Sequence, residues 1–199
     1  MRQNILVIGA SGLIGATVAS ALETRGHTVI RASRSSDERV DVRDRDSLDS
    51  LFSRVGALDA VVTAFGSTPF KPLEDLSLDD IRSGLEDKTL GQIAVAAAAV
   101  PRLRDGGSIT VTSGILSTRP VPTGAAASTA NGAVNAYILA VAPYLPRGLR
   151  INAISPNVLV EAPGYHASFP GFSPVPASVV ADAYVDAVEG DMTGEVISV

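Results

Sequence analysis

The chain contains no cysteine. Disulfides, thiolate nucleophiles and cysteine-bound metals are therefore excluded. Only two histidines are present, His27 and His166, too few for a histidine-rich metal site. Positive charge is also scarce. Sixteen Lys and Arg face 21 Asp and Glu, a formal net charge of −5. A non-specific nucleic-acid binder needs a basic surface, so no nucleic-acid partner is expected. Long apolar runs are missing as well. Ile5–Ile8 meets glycine at once, and Ile93–Val100 is too short to span a bilayer. The expectation is a cytoplasmic protein with no membrane partner. The 199 residues suffice for one domain with a sizeable core.

What is present is an alternation. Apolar runs at Ile5–Ile8, Thr28–Ala32, Ala60–Thr63, Ser108–Thr112, Arg150–Ile154 and Glu195–Val199 read as buried parallel strands, with a shorter candidate at Arg39–Val42. Helical spacing predicts helices over Leu13–Arg25, Asp46–Val55, Ala125–Tyr144 and Ala177–Val188. Leu78–Leu103 reads as one long helix or two, with Gly84 and Gly91 as weak points. Strand and helix in alternation predict an α/β fold: a doubly wound parallel sheet in a single domain spanning 1–199. The one irregular stretch, Pro156–Pro176, follows a late strand. That position puts it at the sheet's carboxyl edge, where open α/β sheets bind ligands.

Gly9-Ala-Ser-Gly12-Leu-Ile-Gly15 follows the first strand and opens the first helix. Gly9 allows the tight turn, Gly12 lets the backbone approach a pyrophosphate, and Gly15 lets helix pack on strand. The free N–H groups of a helix start then face the phosphate oxygens. Ser11, Leu13 and Ile14 belong to the same loop. At the end of the second strand an acidic residue would hold the ribose hydroxyls of NAD. Here the run is Ile30-Arg-Ala-Ser-Arg34-Ser-Ser36, with no carboxylate before Asp37. Ser33 and Arg34 suit a 2′-phosphate, so NADP (NADPH) is expected ahead of NAD.

With these residues in place the chain resembles the short-chain dehydrogenase/reductases over nearly its whole length, which implies a Rossmann fold. Asp41-Val42 is similar to the pair that meets adenine. Thr63-Ala-Phe-Gly66 resembles the segment after the fourth strand, which brings Ala64 and Gly66 to the cofactor. Gly107-Ser-Ile-Thr-Val-Thr-Ser113 is similar to the strand ending in the catalytic serine. Arg150-Ile-Asn-Ala-Ile-Ser-Pro156-Asn resembles the strand before the family's Pro-Gly turn, and places Val158 against the cofactor.

The resemblance breaks at the reacting centre. The family uses Asn, Ser, Tyr and Lys. Only Ser113 matches. Ala127 falls at the tyrosine, Asn131 at the lysine, and Lys88 at the asparagine. Two readings stand open: a decayed site, or a rebuilt one in which Lys88, Ser113 and Asn131 converge on the nicotinamide. Replacement proton donors are Tyr165 and His166 on the late loop, with Glu161 as a base or a turn cap. Phe65, Phe70, Phe169 and Phe172 line an apolar pocket or fill core. The leading expectation is an NADP(H)-dependent oxidoreductase of non-standard mechanism acting on a small-molecule substrate. The alternatives are a non-catalytic NADP-binding sensor or assembly partner, and a non-redox enzyme on the same scaffold. Relatives pair through the two helices that correspond to Ile93–Val100 and Ala125–Val141, so a homodimer or homotetramer is expected, with Tyr137 near the contact.

Overall fold

The computed structural model describes residues 1–199. Seven parallel strands form one sheet: β1 (Asn4–Ile8), β2 (Thr28–Ser33), β3 (Glu38–Arg39), β4 (Leu58–Thr63), β5 (Leu103–Thr112), β6 (Arg150–Ser155) and β7 (Val196–Ser198). Their order is β3-β2-β1-β4-β5-β6-β7. The direction of winding reverses between β1 and β4, so a crevice opens there at the carboxyl ends of the strands.

The continuous apolar runs follow from burial on both faces. Ile5 and Val7 of β1 join one core with Ala60, Val62, Ile154 and Tyr184. Their alternates Leu6 and Ile8 join the other, with Val61, Ile109 and Ile151. Successive side chains of a strand point to opposite faces. Each face therefore needs its own helical layer. Helices α1 (Leu13–Thr24) and α6 (Ala177–Glu189) cover the first core. Helices α2 (Arg45–Val55), α4 (Gly91–Ala99) and α5 (Ala125–Val141) cover the second. Each fully buried Leu or Ile contributes roughly 1.5–3 kcal/mol.

The stretch read as one or two helices over Leu78–Leu103 is three pieces. Helix α3 (Leu78–Gly84) passes into a π-helical turn over Leu85–Leu90, and α4 follows. Gly84 and Gly91 bracket the π turn. The helical pattern also ends sooner than expected, because Leu103 pairs with Leu58 and opens β5. The third strand is shorter and earlier than Arg39–Val42, at Glu38–Arg39. Helix α5 stops at Val141, and Ala142–Tyr144 tightens to a 3₁₀ turn. Pro143 has no N–H to continue the α pattern.

Candidate active site

The crevice at the carboxyl edge is a cavity of about 570 Å³, lined from the ends of β1, β2, β4, β5 and β6. Gly9, Ser11, Gly12, Leu13 and Ile14 form one end of it. Gly9 has φ +91°, and a β-carbon there would lie 2.3 Å from the Ala64 carbonyl oxygen. A β-carbon on Gly15 would lie 2.2 Å from the Gly9 carbonyl oxygen. The loop and helix thus close on each other only with glycine. Helix α1 has no side-chain cap and no acidic residue in its first turn. In contrast, Asp44 caps α2 and Ser77 caps α3. The positive end of the α1 dipole is left to an anion.

Arg34 lines the cavity and its guanidinium has no protein partner. Ser33 is not free in the same way. Its Oγ accepts the N–H groups of Ser35 and Ser36 and lies 2.6 Å from Ser36 Oγ. It shapes the turn that presents Arg34. Arg31 points away, bound to Glu23 and Ser20. Asp41 and Val42 line the cavity, and the Asp41 carboxylate accepts from the Arg43 side chain and backbone, which holds its pKa below the usual range.

At the inner end a buried polar network fixes the tips of β4 and β5. Gln92 Nε2 donates to the Thr112 carbonyl, and Gln92 Oε1 accepts from Thr112 N and Thr63 Oγ1. Thr112 Oγ1 donates to the Thr63 carbonyl, so the Tyr184 phenol donates to Thr112 Oγ1. Burial raises the Tyr184 pKa. Ser113 follows directly. Its N–H donates to the Ile154 carbonyl at 2.7 Å. Its hydroxyl reaches the Asn131 carbonyl only at 3.3 Å, near the limit for a hydrogen bond.

Lys88, Ser113, Ala127 and Asn131 all line the cavity. Lys88 sits on the π turn. Such turns reshape a helix locally and occur often at functional sites. Thr89 Oγ1 beside it donates to the Ala130 carbonyl, which fastens the π turn to α5. The chain has two lysines. Lys71 is paired with Asp80 at 2.8 Å, whereas Lys88 has no hydrogen-bond or ion-pair partner. Burial lowers the Lys88 pKa to about 8, against a smaller opposing pull from Asp87. Asn131 is buried, and its Oδ1 has no partner.

The late loop lines the outer side through Pro156, Asn157, Val158, Leu159, Ala162, Tyr165 and Phe169. Of the three candidate proton-moving residues there, only Tyr165 reaches the cavity. His166 Nε2 is bound to the Leu159 carbonyl at 2.8 Å. Both Glu161 oxygens accept the Ala177 N–H, so Glu161 caps α6. Phe65, Phe70 and Phe169 line the cavity, while Phe172 packs edge-on against Phe169. Tyr137 is half-buried beside the second core.

Two residues of the inner network escaped sequence reading. Gln92 had a signal: it is the one polar side chain in an otherwise apolar run after Gly91. Tyr184 is the single aromatic on the apolar face of α6, which reads as core until Thr112 is placed beside it.

Comparison with known proteins gives the same architecture. Residues 9–186 match the family model for enoyl-(acyl carrier protein) reductase. An uncharacterized oxidoreductase of Methylorubrum extorquens is 29% identical, over 88% of this chain and 80% of that protein. Versicolorin reductase of Emericella nidulans is 30% identical, over 77% of this chain and 68% of the enzyme. A Listeria innocua protein of known crystal structure is 42% identical, with a TM-score of 0.94 and 98% of both chains covered. A small-chain dehydrogenase crystallised with NADPH is 28% identical, with a TM-score of 0.87 over 100% of this chain and 97% of that one. A model match across most of the chain, on the same seven-stranded parallel sheet, means that this chain belongs to the short-chain dehydrogenase/reductase family of oxidoreductases.

Proposed function

We propose that the protein is an NADP(H)-dependent reductase in which Lys88, with Ser113 and Asn131, replaces the family's tyrosine–lysine pair. The observation that carries this is the unpartnered Lys88 ammonium on the wall of the same cavity as Ser113. The residues fit the cofactor. An uncapped helix start suits its pyrophosphate, unpaired Arg34 suits a 2′-phosphate, and the orphaned Asn131 Oδ1 suits a ribose hydroxyl. The complex of a related dehydrogenase with NADPH supports the same choice. Gly9, Ser11, Gly12, Leu13, Ile14, Ser33, Arg34, Asp41, Val42, Ala64, Gly66, Lys88 and Val158 form the cofactor-binding set.

When bound, NADP(H) supplies the hydride. The chain supplies everything else. Ser113 Oγ gives up its long bond to the Asn131 carbonyl and donates to the substrate oxygen. The Lys88 ammonium stabilises negative charge building on that oxygen and then passes it a proton. With a pKa of about 8, Lys88 is mostly charged at neutral pH yet close enough to release its proton. Asn131 orients and carries no charge. Tyr165 is the second candidate donor at the cavity mouth.

A cytoplasmic location is part of the same proposal, and no helix is long and apolar enough to cross a membrane. Leu90, at the end of the π turn, is 56% exposed, and Leu139 of α5 is 58% exposed. Both support pairing of these helices in a homodimer or homotetramer, which light scattering at micromolar concentration tests. The function is tested by stopped-flow oxidation of bound NADPH against a panel of carbonyls, imines and quinones. Oxidation by at least one carbonyl class supports it. NADPH that binds and stays inert across the panel leaves the reading of a non-catalytic NADP-binding protein.

A further inference from the structure

Aromatic side chains are few in this chain: five Phe, four Tyr and no Trp. Four of these nine gather in one place. The Phe70 ring lies 5.6 Å from Phe169 and 6.3 Å from Tyr165, and Phe169 meets Phe172 edge-on at 5.7 Å. Phe70 comes from the segment after β4, and the other three from the loop after β6. They rest on a small buried cluster of Ile115, Leu116, Val121 and Ala127, separate from the two main cores. Large rings on two loops are not needed to hold the sheet together, and Tyr165 stays 54% exposed. An apolar wall left open to solvent marks a place where something binds.

The wall belongs to the cavity that holds Lys88 and Ser113. Phe70 is held there through its neighbour Lys71. The Lys71 N–H donates to the Thr123 carbonyl, and Lys71 Nζ is bound to both oxygens of Asp80. Ala127 presents only a methyl group to the space below the rings. Beyond that methyl the chemistry changes from apolar to hydrogen-bond donating. Ser113 Oγ and Lys88 Nζ donate, and the nearest carboxylate, Asp87, is occupied by the N–H and hydroxyl of Ser67. A ligand that satisfies both ends has a flat apolar body and one acceptor oxygen.

We propose that the Phe70–Tyr165–Phe169 wall is the substrate slot and that it takes a planar aromatic ketone, its carbonyl oxygen directed at Ser113 and Lys88. The proposal rests on the function above, since the oxygen is the atom on which that chemistry acts. Rings stack on or meet edges of Phe70 and Phe169, which rewards an aromatic body over an aliphatic one of similar size. Ala127 lines the same cavity with nothing larger than a methyl group.

The test compares 2-tetralone with 2-decalone, its saturated counterpart of the same carbon skeleton, on the full chain loaded with NADP⁺, by calorimetry, so that binding is read without turnover. 2-Tetralone is expected to bind at least tenfold more tightly. Phe169→Ala, on an exposed loop, is expected to cut that preference below threefold with NADP⁺ affinity unchanged. Ala127→Phe, which fills the slot, is expected to abolish tetralone binding. Equal affinity for the two ketones, or a preference that survives Phe169→Ala, overturns the slot. NADP⁺ affinity is titrated separately. A chain that holds the tetralone through Phe169 yet fails to bind NADP⁺ keeps the slot and loses the function.

Discussion

Gly66 lies directly against the stem of Lys88. A β-carbon built on Gly66 would stand 2.7 Å from Lys88 Cγ and 2.8 Å from its Cα, and Gly66 itself has φ +111°. The close approach holds the lysine against the end of β4. Gly66→Ala is expected to strain the backbone by about 1–3 kcal/mol and to push Lys88 aside. Turnover should fall at least tenfold while the variant still folds. A fully active Gly66→Ala protein would show that the position of Lys88 is of no consequence.

The Lys88 charge should cost stability. Its pKa falls from 10.5 to about 8 on folding. Below about pH 8 both folded and unfolded chains carry the ammonium, and the folded chain bears the cost of holding it half-buried without a partner. Between about pH 8 and 10.5 the unfolded chain holds more proton, so that cost fades as pH rises. Lys88→Met is therefore expected to stabilise the protein at pH 7 by about 1–3 kcal/mol, raising Tm by several degrees, with the gain vanishing above about pH 10.5. Calorimetric melts at pH 7 and pH 10 check this. A Lys88→Met protein that melts at or below the parent temperature at pH 7 refutes it.

With only Lys71 and Lys88 present, lysine methylene NMR gives two signals. One is expected to titrate near pH 8 and to shift when NADP⁺ is added. Lys71 should not respond to NADP⁺, because it is paired with Asp80 at the far side of the loop. A Lys88 signal that titrates near the ordinary lysine value contradicts the desolvation of this side chain.

Arg34 should set the cofactor. Charge-assisted hydrogen bonds contribute roughly 1.5–3 kcal/mol each. NADP(H) is expected to bind at least tenfold more tightly than NAD(H), and Arg34→Ala to bring the two close to equal. Titration calorimetry decides. An unchanged preference in Arg34→Ala assigns the 2′-phosphate to some other group.

The inner network should answer asymmetrically to mutation. Tyr184→Phe removes one donor and leaves Thr112 Oγ1 still bonded to the Thr63 carbonyl. It is expected to cost about 1 kcal/mol. Thr112→Val strands the buried Tyr184 phenol and is expected to cost about 1–3 kcal/mol. Urea unfolding of both variants measures the difference, and the reverse order would mean that the donor assignment is wrong.

Much of this molecule is readable before folding because two kinds of signal are local. The glycine loop and the strand runs depend on neighbours in sequence, and Gly9, Gly12 and Gly15 carry their geometric reasons with them. The break at Leu85–Leu90 announced itself only as two glycines, since a π turn preserves most of the helical pattern. The start of β5 at Leu103 was hidden because its pairing with Leu58 is a tertiary event. The site divides the same way. Lys88, Ser113 and Asn131 are distant in sequence, and the resemblance brought them together before the fold did. Glu161 read equally as a base or a cap because a loop sequence cannot say which carboxylate caps the next helix, and His166 looked available because its bond to the Leu159 carbonyl depends on the fold of the loop. Ser33 looked like a free hydroxyl because its bonds to Ser35 and Ser36 depend on the turn it makes.

In the mechanism proposed above, Lys88 supplies the proton. Single-turnover oxidation of bound NADPH, followed from pH 6 to 10 in the parent protein and in Lys88→Met, tests it most directly. The substrate is the fastest carbonyl found in the panel. The parent rate is expected to fall as pH rises through about 8, where the ammonium is lost. Lys88→Met is expected to bind NADPH, react at least tenfold more slowly at pH 7, and lose that pH dependence. A Lys88→Met protein that oxidises NADPH at the parent rate, with the parent pH profile, contradicts the account.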